Sequence, residues 1–276
     1  MPTPKTKSGL ANIDSAQIYY ETSGEGTPFV MIHAGVADSR QWNNEFAFFA
    51  RNYQVLRYDM RGYGKSKPAD GEFSHMSDLI SLLDILELCR PLVMMGCSIG
   101  GGLAMDFALD YSSRVKALIM VDSGPSGLEL DVPTPAKFAE VEKAFEAGDL
   151  DLVAEFETQI WFDGMGRKSE QVDQAMRRLA FEMDRKALSH EVKQLGKRLP
   201  NTPTRAFDHL SDLAIPVLVI VGAQDTPYML AAADYMIQKI QSARKIIIKD
   251  AAHLPNMDHP DEFQRIVKTF LEGISS

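Results

Sequence analysis

The chain has 276 residues, 45% of them hydrophobic, and its 38 acidic against 29 basic side chains leave a formal net charge of −9. That composition describes a soluble globular protein with material for a sizeable core in one large or two modest domains, and the acidic balance excludes nucleic acid and anionic membrane as expected partners. Two cysteines, Cys89 and Cys97, are too few for a disulfide scaffold or a structural zinc cluster, so a reducing, cytoplasmic setting is expected.

The N-terminal stretch MPTPKTKSG is polar and basic and no apolar segment follows it, so no secretory signal is expected. In chain order, residues 17–22 and 28–33 predict strands separated by a Ser-Gly-Glu-Gly turn. A helix is expected at about 40–51, a strand at 54–58, a glycine-rich turn at 61–66 and a helix at 74–88. The apolar run 91–97 meets Ser98-Ile99-Gly100-Gly101-Gly102 and passes into a helix through 102–110, followed by a strand at 116–121. Strand and helix in repeated order imply an α/β fold with a mostly parallel central sheet covered by helices on both faces. From about 134 to 198 the pattern changes to charged helical segments at 134–147, 149–161 and 169–195. Strands then return at 215–221 and 245–249, with an amphipathic helix near 260–272. The expected organisation is a core formed by 1–125 and 206–276, interrupted by a helical insertion at 126–205. No run reaches the length and apolarity of a spanning helix, and no repeat or low-complexity tract is present.

Gly96-Cys97-Ser98-Ile99-Gly100 lies directly after an apolar strand and before a helix, the pattern of a nucleophile elbow. Small residues two before and two after Ser98 permit a tight strand-to-helix turn that lifts the hydroxyl clear of the backbone. The alternative is a plain βα turn. A serine hydroxyl needs a base and a group that orients the base, and in elbow enzymes the acid and the histidine follow later strands. Asp225 follows the strand 215–221 and His253 follows 245–249, so all three come to the carboxyl edge of a parallel sheet. Asp258 is the rival acid. The developing oxyanion needs two N–H donors: Ile99, next to the nucleophile, and Gly35 in the loop after 28–33, with Val36 beside it. His33 is expected to brace that loop, and His75, His190 and His209 to face solvent. Cys97 is expected to point into the fold.

On HAGVADSRQW at 33–42, DMRGYGKS at 59–66, GCSIGG at 96–101, GAQDTP at 222–227 and AAHLPNMDHPDEF at 251–263, the chain resembles the α/β-hydrolase fold family over essentially its whole length. The resemblance implies Ser98 as nucleophile, Asp225 as acid, His253 as base, Asp59 and Arg61 as structural ties, and 126–205 as a cap over the pocket. It departs from the common His-Gly of the oxyanion loop, having His33-Ala34 before Gly35, and has Ala252-His253 where Gly-His is frequent. Ser98 in place of an aspartate argues against dehalogenases and epoxide hydrolases. The pattern is most similar to carboxylesterases, 3-oxoadipate enol-lactone hydrolases, other lactonases and cofactor-free haloperoxidases.

What this implies is hydrolysis of a small-molecule ester or lactone through an acyl-enzyme, with no metal and no organic cofactor. Activity is expected to fall on the acidic side as His253 protonates. Carbon–carbon bond hydrolysis of ring-cleavage products, by the same three residues, and ligand reception without turnover are the alternatives. In the insertion, Trp161, with Phe162 and Met165, is the candidate for substrate contact, although packing is the commoner role for such residues.

Overall fold

Alternation within the central strands explains the layering of the computed structural model, which describes residues 4–274; the first three residues of the polar N-terminal stretch lie outside the described residues. In chain order the elements begin with β1 (Lys7–Ile13), β2 (Ala16–Ser23), β3 (Thr27–Ile32), α1 (Asn43–Phe49), β4 (Tyr53–Tyr58), β5 (Glu72–Phe73) and α2 (His75–Ile85). Next come β6 (Leu92–Cys97), α3 (Ile99–Asp110) and β7 (Val115–Val121). The inserted helices are α4 (Lys137–Glu146), α5 (Leu150–Thr158) and α6 (Gln174–Glu191), followed by β8 (Lys197–Arg198). The chain closes with β9 (Val217–Gly222), α7 (Pro227–Lys239), β10 (Ala243–Ile248), α8 (Pro255–Asp258) and α9 (Pro260–Ile274).

Eight strands form one sheet in the order β1-β2-β4-β3-β6-β7-β9-β10, antiparallel at β1–β2 and β2–β4 and parallel from β4 onward. Successive side chains of a strand point to opposite faces. Val30, Ile32, Met94 and Leu118 therefore enter one apolar core with Leu79, Leu103 and Met236 from α2, α3 and α7. Phe29, Met31, Val93, Met95 and Ile119 enter the other with Phe46 and Phe263 from α1 and α9. Burial on both faces is what turns these strands into near-continuous apolar runs.

The parallel register sets the active edge. Cys97 pairs with Val121, Val121 with Ile220 and Gly222 with Ile248, so the residues that follow β6, β7, β9 and β10 emerge side by side. The inserted helices carry a small apolar cluster of their own, Ala144, Val153, Ala154 and Leu188. The far end of the insertion is tied back by the short parallel pairing of Phe73 with Arg198. β1, β5, β8, α7 and α8 escape the pattern of the sequence: β1 mixes polar residues and a glycine with its apolar ones and is largely exposed, β5, β8 and α8 are too short to leave a pattern, and α7 begins within the loop that carries Asp225.

Candidate active site

Ser98 occupies the junction of β6 and α3 at φ +53° and ψ −120°, a conformation that side-chain-bearing residues adopt only when their surroundings impose it. Three hydrogen bonds and two glycines impose it here. Ser98 N–H donates to Val121 O (3.0 Å), and Ser98 O accepts from Gly102 N–H (3.0 Å) and from the Ser123 hydroxyl (2.7 Å). A Cβ on Gly96 would lie 2.2 Å from Gly100 O, and one on Gly100 would lie 2.5 Å from His33 O. The glycines are therefore steric requirements of the turn. Helix α3 starts at Ile99, directly after the serine and ahead of the residues that carry its apolar face.

His253 and Asp225, the candidate base and acid, meet behind this turn. His253 Nδ1 is 2.7 Å from Asp225 Oδ2, with both side chains buried. Asp225 Oδ1 accepts from Thr226 N–H (2.6 Å), and Thr226 caps α7, so the positive end of that helix favours the carboxylate. The loop bearing His253 is held against β6 by the Cys97 thiol, which donates to His253 O (3.3 Å). Cys97 is fully buried, and burial pushes its thiol well up, so it stays a neutral packing group. Among the described residues no hydrogen bond closes the step from Ser98 Oγ to His253 Nε2. Such bonds are commonly long before substrate enters.

The loop that carries Gly35 is fixed by a buried polar network. His33 Nε2 accepts from Met60 N–H (3.0 Å), which places its proton on Nδ1, where it donates to Ala34 O (2.7 Å). Burial lowers the affinity of that ring for a second proton, so His33 braces the loop as a neutral group. Ala34 N–H is committed to Gln41 Oε1 (2.9 Å), and Gln41 is bound through Asn256 to the segment after His253. Gly35 N–H and Ile99 N–H donate to no acceptor among the described residues. The Ile99 side chain lies against Gly35, 3.3 Å from where a Cβ would stand.

Two clefts meet at Ile99, and His75 and Arg198 line both. One, of about 440 Å³, runs past Ser98, Gly124, Asn201 and Tyr228. The other, of about 490 Å³, is walled by Gly35, Val36, Tyr63, Glu157 and Asp184. Asp184 is pushed up to about 10 by burial and by Glu157, to which it donates a hydrogen bond, and burial also raises Glu157. One proton shared between them reduces the negative charge on this wall. Val36 and Trp161 also face a small hollow between the clefts and the core.

The insertion contributes more than a wall. Trp161 O accepts from His253 N–H (3.1 Å), and its indole lies over the imidazole with ring centroids 4.5 Å apart. Phe162 is instead buried in the core and Met165 is exposed, so neither joins the clefts as a candidate contact. Arg167 ties the insertion down, donating to Phe162 O (2.8 Å), Asp163 O (2.8 Å), Asp250 O and Asp258 Oδ2 (2.6 Å). Asp258 is thereby spent on Arg167 and is not the partner of His253.

The expectation of solvent-facing histidines fails at His75, which is 6% exposed because it packs on the rings of Tyr63 and Phe73 beneath the clefts. His190 is half-buried against Gly62 O (3.0 Å), and His209 pairs with Asp212 (3.0 Å) at the surface. Asp59 and Arg61 are ties: Asp59 accepts from Ser39 N–H (2.8 Å) and Lys65 N–H (2.6 Å), and Arg61 forms a bidentate pair with Asp78. Sequence reasoning passed over Asp122, which follows β7 at the same sheet edge and is buried beside Asp225. An acid directly after an apolar strand, the signal that selected Asp225, was available there too. One oxygen each of Asp122 and Asp225 and a nitrogen of His253 lie within 4.8 Å of one another, a spacing a metal could use. Their contacts are those of a hydrogen-bonded chain, with His253 Nδ1 spent on Asp225.

Residues 29–266 match the model of the alpha/beta hydrolase family. The pimeloyl-acyl-carrier-protein methyl ester esterase of Aliivibrio fischeri is 25% identical over 262 residues, covering 93% of this chain and 98% of the esterase. A 2-hydroxy-6-oxononadienedioate/2-hydroxy-6-oxononatrienedioate hydrolase of Paraburkholderia xenovorans is 26% identical, with 92% of this chain and 90% of that protein covered. Among solved structures, an N-acyl homoserine lactone degrading enzyme superposes with a TM-score of 0.75 at 25% identity, over 95% of this chain and 100% of that one. No helix among the described residues is long and apolar enough to cross a membrane.

Proposed function

Because the chain belongs to the alpha/beta hydrolase family, we propose that it hydrolyses small carboxylic esters or lactones through an acyl-enzyme formed on Ser98. The observation that carries this reading is the strained Ser98 turn at the same sheet edge as the buried His253–Asp225 pair. The names of the relatives, an ester-cleaving and a lactone-degrading enzyme among them, support the substrate class.

In the proposed mechanism Ser98 Oγ attacks the carbonyl carbon while His253 Nε2 takes its proton. Asp225 holds the ring through Nδ1 and stabilises the imidazolium that results. Ile99 N–H and Gly35 N–H receive the oxyanion. The imidazolium then gives its proton to the departing alkoxide, and water deprotonated by the same nitrogen releases the acid. Residues 126–205 act as the cap, with Val36 and Trp161 at the substrate. None of these steps needs a cofactor, and the free thiols of Cys89 and Cys97 suit a reducing, cytoplasmic setting.

Ser98→Ala should lower turnover of a short-chain aryl ester by on the order of a thousandfold or more while leaving the circular dichroism spectrum unchanged. A phosphonate should label the wild type once, at Ser98. Near-normal hydrolysis by the variant would sink the assignment. A panel of aryl ester, enol-lactone, acyl-homoserine lactone and a vinylogous diketone separates ester and lactone cleavage from carbon–carbon hydrolysis, and multiple turnovers exclude a receptor.

A further inference from the structure

Asp122 stands immediately after β7, between the strand ends that carry Ser98 and Asp225, with a backbone φ of +40° and 1% of its surface exposed. Its Oδ1 accepts from Gly222 N–H (2.8 Å), which ties it to the end of β9. Its Oδ2 is sealed from solvent and meets no donor among the described residues. The neighbour of this carboxyl group is that of Asp225, one oxygen of each lying within 4.8 Å of the other.

Two carboxylates are acceptors only, so they hold each other only when one carries a proton, and two like charges in one buried site do not both ionise. The hydrogen bonds decide where the proton sits. Asp225 accepts from Thr226 N–H and from His253 Nδ1, whereas Asp122 accepts only from Gly222 N–H. The carboxyl group with more donors keeps the charge. The other titratable groups at this spot are the neutral Cys97 thiol on β6 and His253 itself, and among the described residues no lysine or arginine pairs with either carboxyl group. Burial and the Asp225 charge both act to keep the proton on Asp122.

We propose that Asp122 is a neutral carboxylic acid in the working protein and donates its proton to Asp225, as a positioning residue that extends the chain to His253–Asp225–Asp122. The assignment rests on the triad reading above. Its consequence is for the base: a donor on Asp225 fixes the rotamer that meets His253 and tempers the pull of Asp225 on the imidazolium.

The test is the pH dependence of kcat for the wild type, Asp122→Ala and Asp122→Asn. The alanine variant loses the donor, so kcat should fall by about tenfold with KM within about twofold, and the acid limb should move to higher pH because an unshared Asp225 stabilises the imidazolium more. Asparagine tolerates the left-handed backbone, can still accept from Gly222 and offers an N–H in place of the acid proton. It should recover most of the lost kcat and return the acid limb to within ~0.3 pH unit of wild type. If Asp122 were ionised, the asparagine would instead remove a negative charge near His253 and lower the limb by ~1 unit or more, which overturns the proposal. An alanine variant indistinguishable from wild type in kcat and limb also overturns it. An infrared difference spectrum of wild type minus Asp122→Asn needs no turnover. It should contain the carbonyl stretch of a protonated carboxylic acid, and its absence refutes the neutral Asp122. A failed Ser98→Ala result would strike the triad reading while leaving that infrared answer intact.

Discussion

At the scale of single residues, the turn around Ser98 works by exclusion. Gly100 faces the carbonyls of Ile32 and His33, and any side chain there must displace β3 backbone, not a flexible neighbour. Gly100→Ala should therefore cost about 3 kcal/mol and reduce activity at least tenfold, read from urea denaturation and ester hydrolysis of the same preparation. A loss below about 0.5 kcal/mol would mean that the turn has room the geometry denies. Residue identity alone was enough to nominate Ser98, Asp225 and His253, because a nucleophile, an acid and a base at strand ends leave a linear trace. It did not nominate Asp122. A second acid adds nothing to the three roles a hydrolase needs, and only the register of β7 beside β9 shows that it lies against the first.

At the scale of elements, the joint between the insertion and the core depends on Arg167. Its guanidinium reaches three carbonyls and the Asp258 carboxylate, which is almost fully buried. Removing it strands that charge. Arg167→Ala is expected to destabilise the protein by about 3 kcal/mol and to speed proteolytic cleavage within 126–205, whereas lysine, with a single ammonium, should restore only part of the loss. Equal protease resistance of wild type and Arg167→Ala would show that other contacts suffice to seat the insertion. The central strands were legible as unbroken apolar runs, and the last helix by its amphipathic period. Strand β1 was not, since Lys7, Ser8, Gly9 and Asn12 leave it neither an apolar run nor a clean alternation, nor was α7, whose start is masked by the loop residues Asp225 and Thr226. The joint itself was beyond the reach of pattern, because Arg167 and Asp258 are brought together by the fold alone.

At the scale of the whole molecule, two buried groups oppose each other in pH. Burial holds His75 down to about 3 and lifts Glu45 up to about 7. For His75 the unfolded chain binds the proton first, so its contribution is complete above about pH 6.5 and is lost as pH falls toward 3, up to about 5 kcal/mol. For Glu45 the folded chain holds the proton longer, so its contribution is complete below about pH 4.5 and is lost as pH rises through 7, about 3 kcal/mol. Stability curves of His75→Leu and Glu45→Gln, each subtracted from wild type, should show these two slopes in opposite windows. A pH-independent difference in either case would contradict the burial of that group. The contact between Trp161 and His253 bears on movement. Because the indole packs on the imidazole and the Trp161 carbonyl takes a backbone bond from the same residue, the insertion and the proposed base form one mechanical part. Lifting the insertion at that point would pull His253 away from its place beside Asp225. If the proposed triad is the catalyst, substrate and product are expected to pass on the opposite flank, where the chain after α6 rejoins the core through the two-residue pairing of β5 with β8 and separate contacts such as Asn201 to Asp106.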